Sequence, residues 1–416
     1  MNDPAEGTTA RAWIALCLTG LALAWIAWRV LTLGMAEHLA RRDPGAALAW
    51  RAGNSEALLL RFGPQGDASI DPALQVATAR AGIRAAPLDG RGYRLLAHQA
   101  ELGQDLASAE KLYGLAAARG PRDVPSLSWM TNRALARGDY VHAFANIDQL
   151  LRVQPELLSK LTLVLISLVD KAPVQDDLAN LLQKSPPWRS DFLARLINFS
   201  KNNTALFSLI ERLRLTPPGL SDVELSKWLD RLGYDRAWGA AYLIWVQSLP
   251  LDAQQHIGNV YNGDFELEPS GSGFDWRFAS IPGARISREQ VTGAGGQMAL
   301  RVDFEDRRVP FKNVSQLLAL APGKYRLQGR SRLDDLRSER GLVWTLTCAE
   351  GGRVIAESEP MTGHHAWKEF SLELAVPDDS CGGQWLILRV PARIPAEQLI
   401  GGTAWFDDLQ IQSVSP

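Results

Sequence analysis

The sequence predicts a multidomain chain of the α plus β class. It would hold one N-terminal transmembrane helix, a stack of helical hairpins and a C-terminal β-sandwich. Three observations predict this. Residues 12–28 read AWIALCLTGLALAWIAW, without a charge. Pro87, Pro121 and Pro155 recur at intervals of 34 residues. Beyond residue 255, helical periodicity gives way to glycine clusters and short alternating runs.

Composition bounds the function classes first. The chain has 416 residues, 46% hydrophobic, with 14 Trp. At ~150 residues per domain that is two or three domains, with apolar content too high for wholesale disorder. Net charge is −2, from 44 basic and 46 acidic residues, so the basic excess of a nucleic-acid binder is missing. A mean hydropathy of −0.10 excludes a multi-spanning membrane protein but leaves room for one span. Three Cys exclude a disulfide scaffold and a Cys-rich zinc protein, and six His leave little for a His-built metal site. No P-loop, GxSxG, HExxH or paired CxxC motif occurs.

Residues 1–11 read as a short tail and residues 12–36 as the span. Twenty or so apolar residues cross a ~30 Å hydrocarbon core. Arg29 interrupts the run near one end, where its side chain can reach the headgroups. Trp13, Trp25 and Trp28 suit the interfacial belts. A cleaved signal peptide is the rival reading, and it would want a basic start. Here MNDPAEGTTAR sets one Arg against Asp3 and Glu6, so an uncleaved anchor is expected. Cys17 lies in the span as an apolar filler. Arg29, Arg41 and Arg42 follow the span and only Arg11 precedes it, which favours a cytoplasmic body; a short tail before a large body favours the opposite.

Residues 37–255 carry the repeat. Ala100 matches Ala134, Asp105 matches Asp139, Ala109 matches Ala143, and Tyr113 matches Ile147, all 34 apart. The stretch GDYVHAFANIDQLLRVQP from Gly138 has a Gly138-Asp139-Tyr140 turn, small Ala143, apolar Ile147 and Leu150, and closing Pro155. Gly103, Ala109, Tyr113 and Pro121 form a second copy, with Leu95 and Trp129 at matching first-helix positions. This resembles the tetratricopeptide repeat. The resemblance is strongest over residues 88–155; Pro186, Pro217 and Pro250 continue a looser rhythm. It implies an α-solenoid of about six hairpins that binds partner proteins on its concave surface. No catalytic constellation appears in this region, and His98, His142 and His256 are isolated.

Residues 256–416 alternate in short runs: MALRVDF, SQLLAL, YRLQGRS, LVWTLTC, EFSLELAV, WLILRV and AWFDDLQIQ. Strands at this spacing suit a sandwich of eight to eleven strands. The region opens with Asn262-Gly263-Asp264-Phe265-Glu266 and Gly273-Phe274-Asp275-Trp276. Pro322-Gly323-Lys324-Tyr325, then Trp367-Lys368-Glu369-Phe370, and finally Trp405-Phe406-Asp407-Asp408 follow in order. Together these resemble the carbohydrate-binding-module jelly rolls that accompany xylanases. The resemblance implies that the first motif lies beside the last strand. It also implies a structural Ca²⁺ there, with Glu266, Asp407 and Asp264 as candidate ligands. The plainer reading is that these acids cap turns.

Glycan binding would need exposed aromatic platforms. Trp344, Trp276 and Trp385 are the candidates, while Trp367 and Trp405 by motif position belong to the core. Cys348 and Cys381, 33 apart in one domain, are a candidate disulfide, which would imply an oxidising compartment. His364 and His365 read as a solvated turn. The expected function is non-enzymatic: a membrane-anchored scaffold in lipid contact through one span. The solenoid would hold protein partners and the jelly roll would contact a polysaccharide or protein, in polysaccharide assembly or export. The body is expected in the periplasm or outside the cell, anchored in the cytoplasmic membrane. A purely structural scaffold without glycan, and a glycan-acting enzyme with an unrecognised site, are the alternatives.

Overall fold

The computed structural model describes residues 5–60 and 71–414. Fourteen α-helices among them precede two antiparallel five-stranded sheets. The chain divides into two compact units, residues 1–219 and 220–416. Composition changes near residue 255, but packing changes at Gly219.

The first unit opens with α1 (Ala5–Ala40), which already includes part of the segment read as a tail. Its stretch Ala15–Ala40 is long and apolar enough to cross a membrane. Leu16, Leu21, Trp25 and Trp28 on it are exposed. The end of α1 is different: Ala36 and Ala40 are buried. Ala40 packs with Ala47 of α2 (Pro44–Trp50) and Ala57 of α3 (Ser55–Leu60). Asn54 ties the same junction, donating to Glu37 Oε1 at 3.3 Å and accepting from the Ala57 amide at 2.8 Å.

Next come α4 (Pro72–Ala85), α5 (Gly90–Leu102), α6 (Leu106–Arg119), α7 (Val124–Arg137) and α8 (Tyr140–Val153). The 34-residue period is visible in their starts. Asp89 and Asp123 cap α5 and α7; Asp105 and Asp139 cap α6 and α8. Each carboxylate accepts a backbone N–H of the first turn, which satisfies a group the helix itself cannot. Ala109 and Ala143 are fully buried where paired helices meet, and Tyr113 and Ile147 are buried beside them. Glu101 accepts from Trp129 Nε1 at 2.8 Å and from the Tyr113 hydroxyl at 3.0 Å, beneath a Tyr113–Trp129 stack at 4.6 Å.

After Pro155 the order loosens. Pro155–Leu157 forms a 3₁₀ turn, followed by α9 (Leu158–Val169), α10 (Ala172–Gln183), α11 (Arg189–Phe199) and α12 (Asn203–Leu215). Helices α9, α10 and α11 lack a side-chain cap. Packing is no longer neighbour on neighbour: α10 meets α8, α9 and α12, and α9 meets α11 and α12. The regular hairpin succession therefore ends where the aspartate caps end.

The second unit begins with the helices α13 (Asp222–Tyr234) and α14 (Trp238–Ser248). Ser221 and Glu224 form a reciprocal capping box at the start of α13. The sandwich follows. One sheet has the order β1-β4-β9-β6-β7 and the other β2-β3-β10-β5-β8. Their strands are β1 (Trp276–Phe278), β2 (Ala284–Gln290), β3 (Met298–Arg308), β4 (Val314–Leu318), β5 (Gly323–Ser338), β6 (Val343–Cys348), β7 (Val354–Glu357), β8 (Gly363–Val376), β9 (Gln384–Arg389) and β10 (Leu399–Ser413). All seven runs read from the sequence are strands. The opening motif lies against the last strand, with the Leu409 amide donating to the Gly263 carbonyl at 2.9 Å.

The two sheets enclose one core. Trp276 and Trp344 lie in it at 0% exposure, with ring centroids 5.9 Å apart. Two of the three candidate platforms are therefore core residues, packed against Phe265 and Phe406 between the sheets. Trp405 is buried too, but on the outer face of its sheet. Arg301 and Arg332 cover its ring at 5.3 and 4.8 Å. Trp367 is half-buried, with Arg330 over its ring at 5.4 Å.

Candidate functional site

The acids of the calcium expectation separate into two places. Glu266 Oε1 accepts the amides of Gln297 and Met298 at 2.6 and 2.9 Å. Asp407 Oδ2 accepts the amide of Gly295 at 2.5 Å. Both carboxylates thus meet the glycine-rich loop between β2 and β3. A Cβ on Gly295 would strike the Asp408 carboxylate and one on Gly296 would strike Glu266, so the close approach needs glycine there. Asp264 lies elsewhere and pairs with His256 Nδ1 at 3.1 Å.

Asp407 is 0% exposed and its Oδ1 has no partner. Burial pushes its pKa up to about 6, against the opposing Gly295 hydrogen bond. An orphaned buried carboxylate oxygen, with Glu266 held to the same loop, is the hard-oxygen donor chemistry a Ca²⁺ takes. No cluster of three or more His, Cys, Asp or Glu side chains with metal-binding arrangement occurs among the described residues, so backbone carbonyls or water would complete such a shell.

The third candidate platform, Trp385, has a different setting. It occupies an outward position on β9, between inward Gln384 and Leu386. It lines a cavity of about 400 Å³ within the second unit. One wall is the α13–α14 turn, with Tyr234, Arg236 and Trp238; the other is the β1-β4-β9 face, with Arg277, Leu317 and Trp385. Tyr234 is 84% exposed. The Arg277 guanidinium lies over the Trp385 ring at 4.7 Å, and its Nη2 donates to the Gly273 carbonyl at 3.3 Å.

Trp238 fixes the two walls. Its Nε1 donates to Glu350 Oε1 at 2.8 Å. Its ring lies on Gly382 and Gly383, where an added Cβ would come within 2.7 and 2.6 Å of it. Cys348 and Cys381 form a disulfide, with Cα atoms 4.9 Å apart. It joins the segment leading to Glu350 to the segment leading to Gly382. Farther along α14, Trp245 packs edge-on against Tyr261 at 4.9 Å, and Tyr242 against Phe274 at 5.2 Å.

No family model and no curated protein matches the chain. The C-terminal sandwich is similar to several solved carbohydrate-binding modules. One, described as "CBM4 structure and function", is 16% identical, with 37% of this chain and 99% of that chain covered at a TM-score of 0.29. The CBM22-1 xylan-binding domain of Xyn10C from Paenibacillus barcinonensis is 12% identical, covering 37% and 93% at 0.26. TmCBM61 in complex with beta-1,4-galactotriose is 18% identical, covering 38% and 99% at 0.25.

Sequence reasoning named Trp385 as a site residue and none of the others around its cavity. Tyr234 and Trp238 sit on helices, so composition assigns them to the repeat region. Arg277 follows Trp276 on an alternating strand, and that alternation alone points it outward once Trp276 is inward. The Gly382-Gly383 pair was the other available signal, since adjacent glycines beside a cysteine mark a close approach.

Proposed function

We propose that the chain is a non-enzymatic, membrane-anchored binding protein whose second unit takes a saccharide in the Trp385 cavity. The observation that carries this is the cavity's lining. Tyr234, Trp238 and Trp385 offer ring surface, while Asp230, Arg277 and Glu350 offer hydrogen-bonding groups beside it. Apolar faces with a few convergent polar groups suit a sugar, which is apolar on its C–H faces and polar at its rim. The volume falls in the ~300–1,000 Å³ range of small-molecule sites. The likeness of the NGDFE and WFDD motifs to those of carbohydrate-binding modules supports the same reading.

In this reading α1 is an uncleaved anchor in the cytoplasmic membrane, and both units lie in the periplasm or outside the cell. The disulfide fits an oxidising compartment. The first unit is a tetratricopeptide-like scaffold for partner proteins, and the whole serves polysaccharide assembly or export. Glu266 and Asp407 hold a structural Ca²⁺ that braces the glycine-rich loop against β10. The plainer role for these acids, amide capping, places three amides on two of the four oxygens, Glu266 Oε1 and Asp407 Oδ2, and leaves Asp407 Oδ1 idle.

A glycan array with the detergent-solubilised full chain tests the binding claim. Binding of at least one oligosaccharide, lost in Trp385→Ala, is expected. Absence of binding across the array would sink the glycan reading and leave a structural scaffold. Turnover of any bound polysaccharide would overturn the non-enzymatic one.

A further inference from the structure

We propose that the cavity selects an acidic saccharide, its carboxylate pairing with Arg277 and its ring lying on Tyr234. This rests on the glycan-binding reading above and narrows it to a ligand class.

The charged groups of the cavity are not equally matched. Glu350 has a donor in Trp238 Nε1 and a cation in Arg236, whose Nε lies 3.9 Å away. Asp230 is exposed to water, which solvates it. Arg277 has neither kind of relief. It is half-buried, and among the described residues it has no ion-pair partner. Its polar contact is the Gly273 carbonyl, its Nε is unpaired, and Asp230 acts on it only through space. Burial pulls its pKa down from the usual guanidinium range, though it stays a cation.

A half-buried cation without an ion-pair partner gains from a ligand carboxylate, which supplies the counter-charge it lacks. The planar guanidinium offers a fork that a carboxylate fills with two parallel bonds, which a hydroxyl cannot do. Trp385 already covers one face of that fork, so the guanidinium is held in plane. Other cavity groups argue for a sugar acid over a simple aliphatic or peptide acid. Asp230 stands exposed at the rim, and Glu350 lines the cavity beside it. Both want hydroxyl protons. Tyr234, exposed at the end of α13, presents a bare aromatic face for the ring's C–H side. A uronic acid residue carries all three features: carboxylate, several hydroxyls and an apolar ring face.

The test uses the full chain in a polyoxyethylene detergent, which has no sugar headgroup. Calorimetric titration compares trimers of galacturonate, glucuronate, mannuronate and guluronate with the same trimers after carboxyl reduction. Each pair then differs only in the carboxylate. At least one acidic trimer is expected to bind tenfold or more tighter than its reduced partner. Arg277→Gln should erase that preference, so that the acidic and reduced trimers bind the variant alike. Should that variant unfold, Arg277→Lys keeps the charge, loses the fork, and should cut the preference several-fold. Tyr234→Ala should weaken acidic and neutral trimers alike. Equal or tighter binding of the reduced trimers overturns the acidic selection but keeps the cavity as a glycan site. No binding of either set overturns the acidic selection, while the glycan reading stands or falls with the array. Displacement of the acidic trimer by a peptide bearing a free C-terminal carboxylate at lower concentration overturns the saccharide in favour of a peptide.

Discussion

Trp238 Nε1 donates to Glu350 Oε1 at 2.8 Å, joining residues 112 positions apart in sequence. The bond fastens a helix that looks like part of the repeat to the sandwich that follows. Replacing Trp238 by Ala removes this bond and the ring lying on Gly382 and Gly383. The loss should be about 3 kcal/mol, as for large aromatics removed from packed sites. Trp238→Phe keeps most of the packing and should lose about 1 kcal/mol. Denaturant unfolding of the two variants checks the order; equal losses would mean that the hydrogen bond and not the packing dominates.

The Cys348–Cys381 disulfide closes a loop of 33 residues. By loop entropy it contributes about 4 kcal/mol. The double Cys→Ser variant should melt lower, and it should lose saccharide affinity, because the bridged segments carry the groups that hold Trp238. Alkylation of the denatured, unreduced protein should label Cys17 alone. Labelling of all three cysteines would show the bridge absent.

Calcium removal gives a third expectation. If Glu266 and Asp407 hold the ion, chelation should lower the melting temperature of the second unit. Asp407→Asn should abolish the response to added Ca²⁺. An unchanged melt with and without chelator removes the ion and leaves amide capping as the role of both acids.

Acid stability should depend on Glu397. Arg340 is its main partner, aided by the Arg393 amide at 2.7 Å. Together they hold its pKa down to about 2, from 4.5. A depressed carboxylate stabilises the fold above its unfolded value and loses that contribution as pH falls through the folded one. Melting temperature should therefore decline between pH 4.5 and pH 2, and Arg340→Gln should flatten that decline. A decline of equal slope in the variant would assign it to other acids.

The aspartate caps of the first unit should differ in weight. Asp105→Ala removes a cap whose carboxylate bonds the Ser108 amide at 3.0 Å, at about 1 kcal/mol. Asp123→Ala also strands Arg94, the buried partner of its salt bridge, and should lose about 3 kcal/mol. Equal destabilisation in thermal melts would show that the ion pair adds nothing.

Much of this architecture was legible because it is written locally. Proline and aspartate at fixed spacing mark helix ends, and alternation marks half-buried strands. The three strands not anticipated are β1, with three residues, β7, with four, and β2, an edge strand carrying Arg285, Arg288 and Glu289. Short or charged edges leave little periodicity to read. The cavity was illegible for another reason. Its groups come from a helical turn, β1, β9 and the loop after β6, and only folding brings them together. Trp276 and Trp344 show the same limit from the other side: a tryptophan in an alternating strand faces one of two ways, and composition does not say which.

The close of α1 has a mechanical consequence. Ala36 and Ala40 are sealed against α2 and α3, and Asn54 ties Glu37 to the same junction, so no slack separates the apolar helix from the hairpins. In a bilayer, such a helix would act as a rigid axle. Each residue added to it turns what it carries by about 100° and lifts it about 1.5 Å. The register of the apolar segment would then set which side of the first hairpins meets a neighbour in the same membrane, in the way a key's cut sets which lock it fits.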